Sequence, residues 1–383
     1  MELHLKHVVL ALFIGIALES CEGDPYRESL AGDYAFVGVD VVAVDSGGIL
    51  PAQTVVVKGS QIIALAPSDA VELSADTRVI DGRGLHLAPG LADMHVHIQD
   101  DLEPPIYVAY GITTVRNLWG EAITLAMRER IRRGELLGPD MTTTGRILDA
   151  PPRMWDGSEE VATPEAAVSV VKQQIADGYD YIKIYNNLSP ETFDAIAAVA
   201  HEAGVPFIGH VPLAVSMEHA LRSGMSSIEH LTGFMKTVTV EGVNLGRGFR
   251  PPEMLEIARQ VNAGELPKDQ VFDAGKLRQI ALLTAEQGVW NVPTLIIRKN
   301  LLLTDAVIQR KSRRPEMAYM APMIRLSWLS TNQPWRSANA LDEEGESAAV
   351  ANALPDDELG DMQVFFDEYL AQVLALHQAG AKI

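Results

Sequence analysis

Two histidines separated by a single valine are the first residues of this sequence whose spacing could do chemistry. They end an apolar run, in the order His95-Val96-His97. Alternate side chains of a β-strand point to the same face, so we expect His95 and His97 to project together while Val96 points away. Two imidazoles on one face at a strand end can form half of a metal site. A partly exposed pair of strand histidines without a ligand role is an equally good interpretation of this motif alone.

Three further residues could complete such a site. Lys183 lies in the apolar sequence Tyr-Ile-Lys-Ile-Tyr of a predicted strand, where a buried amine is costly unless it is paired or chemically altered. His210 ends the next predicted strand, and His230 ends the one after it. Any one of these residues would more often be structural than functional. Together with the histidine pair, at the same end of separate strands, they favour a metal centre.

The elements that must position these residues alternate between strands and helices. The predicted strands cover residues 111–115, 139–144, 181–185, 205–210, 226–230 and 289–293. The predicted helices cover residues 122–133, 164–177, 191–203, 216–223, 277–287 and 361–378. This alternation is typical of parallel βα units, and so many successive units favour a closed (β/α) barrel. Interruptions at residues 232–274 and 299–356 are predicted to be functional loops, lids or helical insertions on its C-terminal face, with decorative insertion as the alternative.

A different pattern precedes the histidine pair. Runs of β-branched residues broken by glycine-rich turns occupy residues 35–88, as is typical of short antiparallel strands. This part is therefore predicted to be a small all-β unit upstream of the barrel, which we expect over residues 89–383. Residues 22–34 are polar and are predicted to be a linker.

The first 21 residues have the features of a targeting segment. Lys6 precedes an apolar run at residues 8–18, which is shorter than a membrane span and fits the core of a signal peptide. Cys21 follows this run and is the only cysteine, so an intramolecular disulfide is impossible. Its setting resembles a bacterial lipoprotein cleavage box, although Glu19 is an unusual occupant. We expect an exported, periplasmic protein, held at the membrane if Cys21 is lipidated; ordinary cleavage nearby is the alternative.

Composition limits the class of protein and its partners. Of the 383 residues, 47% are apolar and 21% are charged, which indicates a globular protein with a sizeable core. The formal net charge of −20 argues against binding to nucleic acid or to an anionic membrane surface, since both need basic patches. A small substrate stays compatible with this charge, because the local charge of a site can oppose the global sign.

As a set, these motifs resemble the amidohydrolase superfamily of metal-dependent hydrolases, especially its prolidase-like branch related to Xaa-Pro or Xaa-Arg dipeptidases. The matching segments are Pro89-Gly-Leu-Ala-Asp-Met-His-Val-His97, Gly111-Ile-Thr-Thr-Val-Arg116, Tyr181-Ile-Lys-Ile-Tyr185, Gly209-His210-Val211, Ile228-Glu-His230 and Val292-Pro-Thr294. The resemblance covers roughly residues 35 to 383. It implies a (β/α)8 barrel of the TIM type beside a small β-sandwich that is partly built from the N-terminal strands.

The resemblance also implies a role for each site residue. His95 and His97 would bind the more buried of two divalent ions, with zinc as the expected metal. Lys183, carboxylated on its side-chain nitrogen, would bridge the ions, and His210 and His230 would bind the second one. The implied reaction is hydrolysis of an amide or peptide-like C–N bond, as in a dipeptide, by a hydroxide that bridges the metals. Tyr185 is a candidate contact for the substrate or its oxyanion, and packing above the barrel core is an equally good interpretation of it.

One residue that the resemblance implies lies outside the printed sequence. Members of the family carry an aspartate at the end of the eighth strand, which ligates a metal and transfers protons. The sequence ends at Ile383, so we expect that aspartate, the eighth strand and the last helix to be missing here. Loss of a general base would remove a factor of roughly 10²–10⁴ in rate. The open sheet edges would allow pairing with another chain, a second copy included.

Three functional hypotheses follow. The main one is an amidohydrolase that acts on a dipeptide-like or other small amide, and the ligands preserved up to the last residue favour a fragment of a normal enzyme. The second keeps the fold and predicts a cyclic-amide hydrolase or a lactonase, because specificity depends on the loops after the strands. The third is a catalytically inactive, truncated metal-binding protein, motivated by the missing aspartate.

Overall fold

A computed structural model describes residues 29–246, 251–300, 310, 313–319 and 362–383. Its contacts divide the chain into two compact units, Met1–Pro89 and Gly90–Ile383. Cys21 and the apolar run before it lie outside the described residues, and so does most of the predicted interruption at residues 299–356. No helix in the described part of the chain is both long enough and apolar enough to cross a membrane.

The first unit contains one mixed sheet. Its strands are β1 (Tyr34–Ala43), β2 (Gly48–Lys58), β3 (Gln61–Pro67), β4 (Arg78–Asp81) and β5 (His86–Leu87). The order is β3-β2-β1-β4, with β5 also paired to β1. The two hairpins are antiparallel as predicted, but β4 and β5 both pair with β1 in parallel. The prediction of purely antiparallel strands was wrong because the chain crosses back after β3 before it pairs again. Residues 29–89 form this single sheet, and a facing second layer is not found among them.

The second unit is built on parallel strands. They are β6 (Leu91–Val96), β7 (Ile112–Asn117), β8 (Asp140–Thr143), β9 (Leu148–Asp149), β10 (Glu159–Glu160), β11 (Ile182–Ile184), β12 (Phe207–Gly209), β13 (Ser227–Glu229) and β14 (Trp290–Val292). One sheet has the order β6-β7-β8, and the other has the order β10-β9-β11-β12-β13-β14. Parallel bridges continue the series from Thr144 to Tyr181 and from Trp290 to Lys382.

Helices follow most of these strands. They are α1 (Pro104–Ala109), α2 (Ala122–Arg132), α3 (Pro164–Asp177), α4 (Pro190–Ala203), α5 (Met217–Arg222), α6 (Phe234–Val238), α7 (Pro252–Asn262), α8 (Ala274–Gln287), α9 (Leu295–Asn300) and α10 (Gln363–Gln378). Both ends of α4 are well defined, since the Ser189 side chain accepts the backbone N–H of Thr192 and Gly204 adopts φ +66°. The predicted interruption at residues 232–274 contains two helices, α6 and α7.

Side-chain contacts show how strongly the second unit's strands curve. The pairing order places β13 five strands away from β6, about 24 Å in a flat sheet. Yet His95 on β6 lies 2.6 Å from Glu229 on β13. The strands must therefore curl around so that their inner faces meet. The predicted α/β class with parallel strands is confirmed, and the eighth strand and the sandwich stay predictions.

Candidate metal centre

The four predicted histidines and the lysine come together at the C-terminal ends of the strands. His95 lies in β6 and His97 directly follows it, Lys183 lies in β11, and His210 and His230 directly follow β12 and β13. The ring centroid of His95 is 4.3 Å from that of His230 and 5.2 Å from that of His97, and the rings of His210 and His230 are 5.2 Å apart. The C-terminal strand ends are where barrel enzymes place their active sites.

Burial keeps these imidazoles neutral. It lowers the pKa of His97 to about 3 and holds the pKa of His95, His210 and His230 well below the usual value. The nearby positive charge of Lys183 lowers the pKa of all four further. A neutral imidazole carries a free lone pair, which is the form of histidine that binds metals.

Three of the rings are oriented through their Nδ1 atoms. The contacts join Nδ1 of His95 to Oε2 of Glu229 (2.6 Å), Nδ1 of His210 to Oδ1 of Asn186 (2.7 Å), and Nδ1 of His230 to Oγ1 of Thr294 (2.6 Å). Metal-binding histidines commonly use their second ring nitrogen in this way. Each contact leaves Nε2 as the nitrogen available to a ligand.

The ring nitrogens that make no hydrogen bond show whether a metal ion would fit. Nε2 of His95, Nε2 of His210 and Nδ1 of His97 are buried and have no hydrogen-bond partner among the described residues. Leaving a buried polar atom unpaired costs about 1–3 kcal/mol. A cluster of three such atoms beside a buried lysine therefore matches the donor set of a divalent ion. The rings pack against one another, and no three His, Cys, Asp or Glu side chains of the described chain already have a metal-binding geometry.

Lys183 is 1% exposed. Burial lowers its pKa, the carboxylate of Glu229 raises it, and the guanidinium of Arg116 lowers it again. The net shift is downward, so the amine loses its proton more readily than an exposed lysine does. This confirms that the lysine of the apolar strand is buried, and it identifies the charged groups around it.

Glu229 and Arg116 are site residues that the sequence analysis quoted in motifs but gave no role. Glu229 is fully buried, and its Oε1 accepts hydrogen bonds from Arg116 (2.8 Å) and from the hydroxyl of Ser227 (2.6 Å). Arg116 also donates to the carbonyl oxygen of Met94, next to His95. The signal that could have found them is the one that singled out Lys183, a charged residue in a short apolar strand.

Two aromatic side chains contact the histidine cluster, and a third, Trp155, contacts both of them; we call Trp119, Trp155 and Tyr185 the aromatic wall. The ring of Tyr185 stacks on His210 at 4.0 Å, and the ring of Trp119 meets His97 edge-on at 5.9 Å. Trp155 Nε1 donates to the Tyr185 hydroxyl (2.8 Å). Burial raises the pKa of Tyr185 to about 12, so its hydroxyl keeps a proton to donate.

A buried carboxylate fixes the loops that carry this wall. Asp149 accepts the backbone N–H groups of Met154 (3.0 Å) and Asn187 (2.8 Å). The side chain of Asn187 donates in turn to the carbonyl oxygen of Pro152 (2.6 Å). The loop that bears Trp155 is thereby tied to the loop after Tyr185.

The backbone is strained at the same place. His230 (φ 59°), Leu231 (φ 55°) and Thr294 (φ 46°) adopt left-handed conformations without being glycine. Such conformations cluster at functional sites because the surrounding structure must hold them. Gly209, directly before His210, has φ +128°, and a Cβ there would overlap the carbonyl oxygen of Ile184. Only glycine fits this position.

Comparisons with known proteins address the fold. No family model matches the sequence. An adenine deaminase from Rubrobacter xylanophilus is 26% identical over 194 residues, which make up 50% of this chain and 30% of that protein. The matched part of the chain thus spans less than a third of the length of this relative.

Solved structures give broader coverage. Bottromycin amidohydrolase superposes with a TM-score of 0.62 at 23% identity, over 91% of this chain and 66% of that one. A prolidase crystallised with N-methylphosphonate-L-proline gives a TM-score of 0.55 at 17% identity, over 91% of this chain and 76% of that one. The chain shares the fold of these two solved structures. The resemblance predicted from the sequence motifs is thereby confirmed at the level of the fold.

Proposed function

We propose that this chain belongs to a metal-dependent hydrolase that cleaves an amide or peptide-like C–N bond. The observation that carries the proposal is the cluster of neutral, buried imidazoles around Lys183, with ring nitrogens left unpartnered. The names of similar proteins support the same class of reaction, since they include an amidohydrolase, a prolidase and an adenine deaminase.

The donor set divides between two divalent ions. His95 and His97 would hold one ion, His210 and His230 would hold the other, and Lys183 would connect them after carboxylation. Nitrogen ligands in this number suit zinc. When bound, such ions lower the pKa of water and polarise a substrate carbonyl.

Burial of Lys183 favours its carboxylation. Only the neutral amine reacts with carbon dioxide, and burial favours that form by lowering the pKa of Lys183. The ammonium group first loses one proton; the neutral nitrogen then forms a bond to the carbon of carbon dioxide and loses a second proton, so the side chain changes from a cation to a carbamate anion. The cation that then faces this anion is Arg116, which already lies close enough to lower the pKa of Lys183.

The aromatic wall supplies substrate orientation. Its rings flank His97 and His210, so a flat apolar group next to the scissile bond would stack there. The Tyr185 oxygen accepts the N–H of Trp155. Tyr185 keeps its own hydroxyl proton, which can be donated to a substrate oxygen. Dipeptides with a ring-bearing residue fit this description.

Metal analysis tests the proposal directly. We expect the purified protein, supplied with zinc and bicarbonate, to retain up to two ions per chain after dialysis. Lys183→Ala should lose the paired ions, whereas Lys172→Ala, a change of an exposed lysine on α3, should retain them. Fewer than one tightly bound ion per wild-type chain would contradict the proposal, and full metal content in Lys183→Ala would contradict the carbamate.

A second candidate reaction is hydrolytic removal of an amine from a flat heterocycle. It is favoured by the aromatic wall together with the relative named adenine deaminase. A substrate panel separates the candidates: dipeptides and N-acyl amino acids release an amino acid, adenine releases ammonia, and cyclic amides or lactones are opened without release. Turnover of adenine alone would replace the main proposal by this second one.

Export remains part of the proposal for the whole protein. We propose that residues 8–18 direct the chain out of the cytoplasm and that Cys21 carries a lipid. Metabolic labelling with a radioactive fatty acid should mark the wild type and leave Cys21→Ala unlabelled. Equal labelling of both would contradict the lipid attachment.

A further inference from the structure

One carboxylate behind His95 contacts three polar groups at once. Glu229 is fully buried, and its Oε2 lies 2.6 Å from Nδ1 of His95. Its other oxygen, Oε1, accepts hydrogen bonds from Arg116 (2.8 Å) and Ser227 (2.6 Å). Arg116 also donates to Ser227 (3.2 Å), so the three groups form a closed arrangement.

Each contact has a fixed donor and acceptor. Arg116 has only donors, and Ser227 can donate its single hydroxyl proton to Oε1. The ionised carboxylate of Glu229 has only acceptors, and the charge of Arg116 compensates for its burial. His95 must therefore carry its proton on Nδ1, which leaves a lone pair on Nε2.

We propose that Glu229, held by Arg116 and Ser227, is a positioning residue that fixes His95 in the Nδ1–H tautomer and keeps its Nε2 lone pair available to a metal ion. The metal in this statement rests on the proposed function, whereas the tautomer does not. Other partners in the cluster are neutral, since His210 contacts the amide of Asn186 and His230 the hydroxyl of Thr294.

The substitution Glu229→Gln tests whether Glu229 sets the tautomer of His95. Two donors point at the Oε1 position, so the carbonyl oxygen of the glutamine should occupy it. The amide N–H₂ would then face Nδ1 of His95, where the carboxylate oxygen stood. His95 would have to accept this hydrogen bond on Nδ1 and move its own proton to Nε2, which blocks that nitrogen as a ligand.

Nitrogen NMR reads the tautomer without any metal. Metal-free protein labelled with ¹⁵N-histidine gives ring signals from ten histidines, and the variant His95→Gln identifies those of His95. We expect Nδ1–H in the wild type and Nε2–H in Glu229→Gln. The matched control is Glu368→Gln, the same change at another buried glutamate, which pairs with Lys268 and should leave the His95 signals unchanged.

Zinc affinity gives the second readout. Competition with a chelator should show binding about 10–100-fold weaker in Glu229→Gln than in the wild type, and unchanged binding in Glu368→Gln. A wild-type His95 protonated on Nε2 would overturn the inference even if the variant failed to fold. So would a folded Glu229→Gln that kept Nδ1–H and wild-type zinc affinity. A wild type with Nδ1–H that binds no zinc would support the positioning role and contradict the proposed function instead.

Discussion

His95 and His210 both leave Nε2 free inside the cluster, but they are oriented by groups of different charge. His95 contacts a buried ion pair, Glu229 and Arg116, through the carboxylate; we call this pair the charged side of the cluster. His210 contacts the Asn186 amide and His230 contacts the Thr294 hydroxyl; we call these two uncharged groups the neutral side.

The difference has an energetic meaning. A buried carboxylate is expensive to desolvate, so it persists only where a cation and several donors compensate for it. The neutral side needs no such compensation and therefore depends on fewer residues. We infer that the charged side contributes more to stability and would control the binding of one ion, while the neutral side contributes less to stability and would adjust the second ion.

The largest effect is expected from breaking the charged side at its cation. Arg116→Met leaves the Glu229 carboxylate buried without its cation, which should lower the free energy of unfolding by about 3–5 kcal/mol. Urea denaturation of the metal-free protein, followed by circular dichroism, measures this loss. The control is Arg128→Met, since the partner of Arg128, Asp180, is 30% exposed and water can replace the contact. Equal losses in the two variants would show that the charged side has no special role.

A pH series tests a property that His97 shares with the histidines of both sides, which is that burial keeps the imidazole neutral. Burial lowers the pKa of His97 from its usual value of 6.5 to about 3 in the folded protein, so the unfolded chain takes up a proton first as the pH falls. This contribution to stability is complete above pH 6.5 and is lost as the pH falls from 6.5 toward 3, at about 1.4 kcal/mol per pH unit.

The measurement compares urea denaturation of the metal-free wild type with that of His97→Asn at several pH values. The variant should lack about 1.4 kcal/mol per pH unit of this dependence below pH 6. Identical slopes would mean that His97 titrates in the folded state, and the site would then not hold it neutral.

The neutral side is tested by Thr294→Val, which keeps the β-branched shape at a residue with φ 46° and removes the hydroxyl that orients His230. The loss of one hydrogen bond should cost about 1 kcal/mol of unfolding free energy. Binding of the second zinc equivalent should weaken, while the first stays unchanged. A loss of both equivalents together would contradict the division into two sides.

Sequence reasoning found the candidate ligands of this site and missed the residues that orient them. Lys183 stood out because a cation in an apolar strand has few harmless interpretations, and the histidines shared one position at successive strand ends. Glu229 obeys the same rule, but the neighbouring His230 in its motif drew the functional interpretation. Its contact with His95 joins residues 134 positions apart and depends on sheet curvature, which no local pattern encodes.

The loops set a stricter limit on prediction. Asn186 and Thr294 each lie two residues past a strand, and Trp119 and Trp155 lie in connections without periodicity. Their placement depends on turns and, for Asn186 and Trp155, on the hydrogen bonds that neighbouring backbone groups make to Asp149, so neither hydrophobic spacing nor strand alternation could predict it. In the first unit, the parallel pairing of β4 was missed for a similar reason, because it depends on where a connection returns.

The smallest expected effect lies outside both sides, in the aromatic wall. Trp155→Phe keeps a ring beside Trp119 but removes the N–H that Tyr185 accepts at 2.8 Å. The loss of one such bond is worth about 1 kcal/mol, which corresponds to a factor of about five in KM for a ring-bearing dipeptide. Metal content and kcat should not change, because Trp155 contacts Trp119 and the Tyr185 hydroxyl rather than the proposed ligands themselves. If kcat fell while KM held, the Tyr185 hydroxyl would be acting on the reacting atoms, and the neutral side would extend through His210 into the chemistry.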